Sequence, residues 1–329
     1  MQSEKAVGIV STGRALPVGR LTNFDLEHLV ETSDKWIRER TGIEERRILG
    51  PGETNSGLSL AASKIALERA GLEPRDIDLI LVATVTPDMV FPSTACLIQS
   101  ELNACNAAAF DLAAGCTGFL YGLSVAEQFI KTGAMKNILL VGADTLSPVI
   151  DWQDRNTCVL FGDGAGAVVI REVEGDRGLL VSKMFSDGSK AGLLYVPAGG
   201  SRAPASLRTV EERMHYVKMN GPEIFKFAVT VMVGSTKKIL DLCGKELEDL
   251  DFLIPHQANV RIIKAASKRL HLKPEQVLVN IQRYGNISSA SIPVVLDEAA
   301  EEGKIKTGDL IAMVSFGAGL TWGAALIKW

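Results

Sequence analysis

The chain has 329 residues, 47% of them hydrophobic, and a net charge of −4; it can bury a large core, and nucleic acid is disfavoured as a general partner. Its five cysteines form no CxxC pair and no zinc-like spacing, which suits a reducing cytosol and gives no support to a metal site. Met1 to Lys5 is polar without a signal-peptide run, and no stretch is long and apolar enough to span a membrane, so a soluble cytoplasmic protein is expected.

In chain order, Val7–Val10 reads as a strand, followed by a loop containing Gly13, Pro17 and Gly19. Thr22 and Asp25 cap a helix through Leu26, Leu29 and Val30, and Thr32–Gly42 forms a second capped turn bearing Trp36 and several arginines. Ser56–Ala70 is a helix closed by Gly71, Ile77–Ala83 a buried strand, and Thr94–Leu102 another helix. Ala107–Leu112 is strand-like and breaks at Ala114–Gly115, and a helical pattern starts at Cys116. Asn137–Gly142 is a near-continuous apolar strand, as expected for one covered on both faces. Thr157–Ile170 reads as two strands around a glycine turn; no helix follows its glycines, so a phosphate-binding loop is disfavoured.

The second half echoes the first. Lys131–Thr132–Gly133 recurs as Lys306–Thr307–Gly308, and Gly142 falls opposite Gly317 at the same offset of 175 residues. That offset pairs Cys116 with Ser291, where a strand over Val277–Ile281 is expected to meet a buried helix start. Two α/β units of about 165 residues, packed face to face, follow.

Chemistry concentrates in a few places. Cys116 at a helix N-terminus should have a lowered pKa, the alternative being an inert core thiol. Among four histidines, His256 ends the short apolar strand Asp251–Pro255 and opens a helix, while Tyr284–Gly285–Asn286 puts an amide near the counterpart of the Cys116 turn. These are strand ends of related units, where α/β crevices form. Arg261, Lys264 and Lys268 recur at helical spacing with Arg269 beside them, either a docking stripe for an acidic partner or a solvated face.

Asp111–Phe119 around Cys116, His256–Gln–Ala–Asn259, Tyr284–Gly–Asn286–Ile–Ser–Ser–Ala–Ser–Ile–Pro293 and Phe316–Gly–Ala–Gly–Leu–Thr–Trp closely resemble the β-ketoacyl-acyl-carrier-protein synthase III family. Thr32–Gly42 and Phe91–Cys96 extend the resemblance over essentially the whole chain. It implies a duplicated thiolase-like fold, two pseudo-symmetric α/β halves (1–173 and 174–329) in a five-layer αβαβα arrangement, and an obligate homodimer. It also implies the initiating condensation of fatty acid synthesis, with acyl-CoA and an acyl carrier protein as partners, and no cofactor.

Carried over residue by residue, the resemblance makes Cys116 the nucleophile and His256 and Asn286 the donors to a malonyl thioester oxygen. The backbone N–H groups of Cys116 and Ala318 form the oxyanion hole; many relatives have glycine where Ala318 stands. Thr32, Trp36, Arg40, Arg155 and Asn259 would bind CoA, with Trp36 stacked on adenine and Arg155 on its other side. Phe91 would reach across the dimer to bound the partner's acyl pocket, favouring a short primer such as acetyl-CoA, and Phe316 would close the site near Cys116. Lys226, Arg261, Lys264, Lys268 and Arg269 would dock the carrier protein. The segment 195–220 is expected to border the acyl pocket, and Cys96, Cys105, Cys158 and Cys243 to lie in the core.

Five other readings stay open or are disfavoured. A related condensing enzyme with a longer or branched primer, or one of polyketide type, shares these residues. A degradative thiolase would want a second cysteine near Phe316–Leu320, and an elongating ketosynthase a histidine at Asn286. A papain-like hydrolase would not need Trp36 or the basic stripe, and a non-catalytic acyl-binding module would not need the nucleophile.

Overall fold

The structure, a computed structural model, describes residues 6–329; Met1 to Lys5, read above as a polar N-terminus, lie outside the described residues. Its frame is two mixed sheets. The first contains β1 (Val7–Ala15), β2 (Leu79–Ala83), β3 (Ala108–Leu112), β4 (Asn137–Thr145) and β5 (Asp163–Glu172), in the order β1-β5-β4-β2-β3. β2 runs parallel to β3 and β4, and β5 is antiparallel to β4 and β1. The second contains β6 (Gly178–Ser186), β7 (Phe252–Pro255), β8 (Leu310–Gly317) and β9 (Thr321–Lys328), in the order β7-β8-β9-β6. There β7 and β8 are parallel and the other pairs antiparallel.

The longer helices are α1 (Asp34–Thr41), α2 (Asn55–Ala70), α3 (Thr94–Leu102), α4 (Gly118–Lys131), α5 (Gly221–Leu242), α6 (Val260–Arg269) and α7 (Ser291–Glu301). They sort into layers according to the two faces of each strand. Ile80 and Val82 of β2 pack outward against Leu58, Ala62 and Ile98 of α2 and α3. Leu79 and Leu81 point inward, joining Leu120 and Leu123 of α4, Val295 and Leu296 of α7, and Ile311 and Met313 of β8. Ala312 and Val314 face out again, against Met232 of α5 and Ile262 of α6. Period-two alternation with both faces covered is why these strands read as unbroken apolar runs. The result is the thiolase-like fold, with α4 and α7 sandwiched between the sheets and helices outside each.

Local chemistry explains the ends of most elements. Thr22 and Asp25 form the capping box expected of them, Ser33 and Thr54 cap α1 and α2, and α2 closes on Gly71 at φ 64°. Several expectations need correction. β1 runs through Gly13 to Ala15, because β5 pairs with it over that whole length. Thr157–Ile170 is not a hairpin: a short helix, Arg155–Cys158, precedes the single strand β5. Its glycines serve close approach. A Cβ on Gly166 would lie 2.7 Å from Cβ of Pro293, and one on Gly142 would lie 2.5 Å from the Ser289 carbonyl oxygen, so α7 rests directly on β4 and β5.

The strand expected over Val277–Ile281 shrinks to one parallel bridge from Val277 to Leu253, after which Ile281–Tyr284 turns helical. The repeat offset in the structure is 173 residues, not 175. Short 3₁₀ turns at Gly115–Thr117 and Ser288–Ala290 lead into α4 and α7, an offset of 173, so Ser289 rather than Ser291 is the counterpart of Cys116. Gly115 and Ser288 share the same left-handed backbone, with φ 54° and 49°. The paired strands keep the same 173, Leu79 pairing with Ile138 as Phe252 pairs with Ile311, so the tripeptide and Gly142–Gly317 matches at 175 were out of register with the fold. Cys158 is buried and Cys243 half-buried, but Cys96 and Cys105 are exposed. Cys96 lies beside β3, its sulfur 3.8 Å from the Ala109 carbonyl oxygen, and β3 is the uncovered edge of its sheet.

The contact at Gly142 yields a test. Gly142→Ala should lower stability by about 1–3 kcal/mol, read as a lower melting temperature, since a backbone carbonyl cannot swing aside. Gly188→Ala, where an added Cβ meets nothing within 4 Å, should leave it unchanged.

Candidate active site

Cys116 sits in the 3₁₀ turn between β3 and α4, so the helical pattern expected from Cys116 begins as a helix only at Gly118. Three hydroxyl-bearing side chains brace the turn. Ser315 Oγ donates to the Cys116 carbonyl at 2.7 Å, and Thr321 Oγ1 lies 3.0 Å from Ala114 O, Thr117 Oγ1 and Ala318 O. The 317–318 turn presses against it: a Cβ on Gly317 would come within 2.7 Å of Cys116 N, and one on Gly115 within 3.0 Å of Ala318 N. The two backbone N–H groups named for an oxyanion hole therefore belong to adjoining turns.

His256 follows β7, and its own N–H extends the β7–β8 pairing by donating to Val314 O at 2.8 Å. The ring is buried, its Nδ1 without a hydrogen-bond partner, and it meets Phe316 edge-on with centroids 5.4 Å apart. Burial lowers its pKa to about 3, so the imidazole is neutral at physiological pH. Asn286 is pinned by its backbone, with its N–H donating to Leu160 O at 2.8 Å and its carbonyl accepting from Gly162 N at 3.0 Å. Its side-chain Oδ1 accepts from the Ser288 N–H at 2.9 Å. That amide can only donate, so the orientation is fixed and the NH₂ of Asn286 is left as the donor.

Burial acts on Cys116 in the opposite sense. Although the sulfur keeps a face on the cavity, desolvation pushes its pKa up to about 12; the Ser288 hydroxyl lowers it in part, and the Asp144 carboxylate adds to the rise. The lowered pKa expected from the helix N-terminus is not found: the resting group is a thiol, because packing around the turn outweighs its dipole. Asp144 is itself buried and occupied on both oxygens, accepting from Val85 N on one and from Ser289 N and Oγ on the other.

Two cavities meet at Cys116, Phe161 and Leu194. One, about 110 Å³, is lined by His256, Asn286, Asn259 and Phe316. The other, about 280 Å³, is lined by Val85, Leu146, Val149, Val196 and Val217, with Ser288 and Ala318 at its Cys116 end. Leu146 and Val149 follow the expected strand Asn137–Gly142 in a stretch to which no element was assigned, and nothing in their spacing marked them. Ser288, Ser315 and Thr321 were also missed, although two of them sit inside the quoted motifs. The 195–220 segment does reach this wall through Tyr195, Val196 and Val217, and Arg213 ties it down through an ion pair with Asp151.

The five residues assigned to CoA form one continuous wall. The Arg155 guanidinium lies 4.9 Å from the Trp36 ring centroid, and its Nη1 donates to Glu31 O at 2.9 Å, next to Thr32. Thr32 Oγ1 is buried without a partner. Asn259 caps α6 by accepting from Arg261 N, while its Nδ2 donates to Arg40 O at 3.0 Å. Phe91, by contrast, is 82% exposed and lines neither of these two cavities. Arg261, Lys264, Lys268 and Arg269 stand exposed on α6, without an ion pair among the described residues; Lys226 on α5 pairs with Glu223 at 3.2 Å. Among the described residues no group of three or more His, Cys, Asp or Glu could hold a metal, and no helix is long and apolar enough to cross a membrane.

Residues 110–188 match the family described as 3-oxoacyl-[acyl-carrier-protein] synthase III, and residues 240–329 match its C-terminal part. A β-ketoacyl-[acyl-carrier-protein] synthase III of Caldanaerobacter subterraneus subsp. tengcongensis is 57% identical over 324 residues, 98% of each chain. The enzyme of that name from Clostridioides difficile is 51% identical over 98% of each chain. The chain belongs to the β-ketoacyl-acyl-carrier-protein synthase III family. The crystal structure of a synthase III from Aquifex aeolicus matches with a TM-score of 0.91 at 48% identity, covering 98% of this chain and 100% of that one. The priming β-ketosynthase of the R1128 polyketide pathway also gives 0.91, at 33% identity, over 99% of this chain and 97% of that one. This synthase III is thus an acyl-transferring condensing enzyme, the initiating ketosynthase of fatty acid synthesis.

The neutral state of His256 makes a pH prediction. Malonyl decarboxylation should show no limb near pH 6.5, staying level down to about pH 5, as measured by CO₂ release. The same shift bears on stability: an unfolded histidine takes up a proton near 6.5 while the folded ring stays neutral to about 3. The contribution is complete above 6.5 and declines as pH falls from there toward 3.

Proposed function

We propose that this synthase III carries a short acyl group, acetyl in the first instance, on Cys116 and condenses it with malonyl-acyl carrier protein. The supporting observation is the junction of the two cavities at one sulfur: apolar walls on one side, the His256 and Asn286 donors on the other. In the first half-reaction Cys116 Sγ bonds to the thioester carbonyl carbon, the CoA–carbon bond breaks, and the thiol proton leaves with the CoA sulfur. The N–H groups of Cys116 and Ala318 receive the developing oxyanion. The acyl chain then rests against Leu146, Val149 and Val217.

In the second half-reaction the malonyl carboxylate leaves as CO₂, and its bonding pair forms an enolate. His256, through a ring N–H, and the Asn286 amide hold the enolate oxygen. The enolate carbon bonds to the acyl carbon, the bond to Cys116 breaks, and the 3-oxoacyl carrier protein departs as the sulfur regains a proton. Neutral donors suit this step, because a cation beside the malonyl carboxylate would stabilise the charge that must be lost.

Arg155 stands directly on the Trp36 ring at 4.9 Å, too close for an adenine between them, so the base would stack on the indole only as the guanidinium moves outward, with Thr32, Arg40 and Asn259 along the pantetheine path. Arg261, Lys264, Lys268, Arg269 and Lys226 suit an acidic carrier protein near the same mouth. A homodimer is supported by an exposed apolar group, Val85, Met89, Val90 and Phe91, near the unpaired edge of β3 with its exposed Phe110. Phe91 from a second copy would then shorten the 280 Å³ cavity toward a two-carbon primer. Halves divided at 173/174 and a cytoplasmic location complete the reading. Identities of 57% and 51% to the two synthase III relatives named above, against 33% to the polyketide priming ketosynthase, favour fatty acid over polyketide initiation.

Intact-protein mass spectrometry after mixing with acetyl-CoA tests it directly. An acetyl adduct should appear, be absent in Cys116→Ser, and discharge with malonyl-acyl carrier protein as acetoacetyl product. An adduct only with longer or branched acyl-CoAs would move the primer; none with any acyl-CoA would sink the reading. Trp36→Ala should raise KM for acetyl-CoA about tenfold or more with kcat little changed. Reversing Lys264 and Lys268 to Glu should slow reaction with malonyl-acyl carrier protein while sparing acetylation by acetyl-CoA.

A further inference from the structure

A buried carboxylate that touches neither cavity sits one layer behind the loops carrying His256 and Asn286. Glu298, on α7, is 6% exposed. Its Oε1 accepts from Tyr284 Oη at 2.6 Å, and its Oε2 accepts from Asn280 Nδ2 and Arg283 Nη2, both at 2.8 Å. Arg14 of β1 brings Nε to 4.0 Å of Oε1, so cations from a strand and from the short helix Ile281–Tyr284 offset the buried charge. An unpaired carboxylate there would be costly; with these partners it is a fixed point in a dry region.

Two of the donors lead to groups at the sulfur. Tyr284 is separated from Asn286 only by Gly285, whose φ of 65° turns the chain so that Asn286 meets Leu160 and Gly162. Asn280 donates its backbone N–H to Gln257 Oε1 at 3.2 Å. Gln257, fully buried, donates Nε2 to Pro255 O at 2.7 Å and so holds the peptide on the near side of His256. One carboxylate thus anchors the turn that ends in the amide and, through two side chains, the strand end that bears the imidazole. Cys116 has no link of this kind to it, being braced by Ser315, Thr321 and Gly317 instead.

We propose that Glu298 is the positioning residue that keeps His256 and Asn286 in register for decarboxylation and carbon–carbon bond formation, without acting in acyl transfer to Cys116. This rests on the reading above, in which those two donors serve only the second half-reaction. Donors aimed at a developing enolate lose their value with small displacements, and about 1 Å can cost a hundredfold.

The test separates the two half-reactions in the full-length protein. In Glu298→Gln, acetylation of Cys116 by acetyl-CoA, followed by intact mass, should stay within about twofold. Discharge of the acetyl-enzyme by malonyl-acyl carrier protein should fall roughly 10–100-fold, in kcat rather than KM. Tyr284→Phe removes one hydroxyl from the same hub and guards against a misfolded Glu298 variant; it should show the same selectivity, more weakly. Parallel losses in both half-reactions, or unchanged discharge in both variants, would overturn the assignment. A wild-type protein that takes up no acyl group would overturn the parent reading instead, and this one with it.

Discussion

The site depends on two chain segments from different halves of the sequence being allowed to touch. The 3₁₀ turns at Gly115–Thr117 and Ser288–Ala290 lie between the sheets, each at the start of a central helix. They meet because β4 and β5 present glycine where α7 presents Pro293 and the Ser289 carbonyl. Asp144 secures the contact by taking both the N–H and the hydroxyl of Ser289 on one oxygen. A side chain at Gly142 or Gly166 would wedge the layers apart, and the distance between nucleophile and amide would no longer be set by packing. The interior is close-packed, so such a displacement cannot be absorbed locally.

The same dryness sets the protonation states. Removing water disfavours whichever form is charged, which raises an acid and lowers a base. Cys116, up at about 12, and His256, down at about 3, are therefore both neutral in the resting enzyme. A preformed thiolate–imidazolium pair, familiar from cysteine hydrolases, has no place here. For this reaction that is an advantage. The second step must expel a carboxylate as a neutral gas and leave a delocalised enolate, so fixed dipoles serve better than full charges.

Much of this was legible in the residues, for identifiable reasons. The apolar runs of β2 and β4, the caps on α1 and α2, and the break at Ala114–Gly115 are local signals, and the structure keeps them. Cys116 and His256 stood out because rare residue types fall at strand ends, and Asn286 because the motif around it carried the family resemblance. What was not legible depends on neighbours distant in sequence. The glycines of β5 resembled a turn because α7, which requires them, lies more than a hundred residues away. The thiol pKa was misjudged because helix position is local while burial is not. The apolar wall from Leu146, Val149, Val196 and Val217 combines ordinary residues from separate loops, and no spacing announces it. The Glu298 hub was invisible for the same reason: Asn280 fell at the end of an expected strand and Tyr284 in the loop beyond it, with nothing local to link either to Glu298.

The two cavities also impose an order on events. Asn259 belongs to the wall that contacts Arg40 and, with His256 and Asn286, to the smaller cavity. On the reading proposed here, the pantetheine of acyl-CoA and that of malonyl-acyl carrier protein would both run past Asn259 and end at the same sulfur. Two thioesters cannot occupy about 110 Å³ together, so the first acyl group must leave that space before the second substrate is bound. The apolar cavity across Cys116 offers the place, and a covalent bond to sulfur keeps the group there while CoA departs. On that reading, covalent catalysis is a consequence of space as much as of reactivity: a single cysteine at the junction would let one mouth serve two substrates in turn.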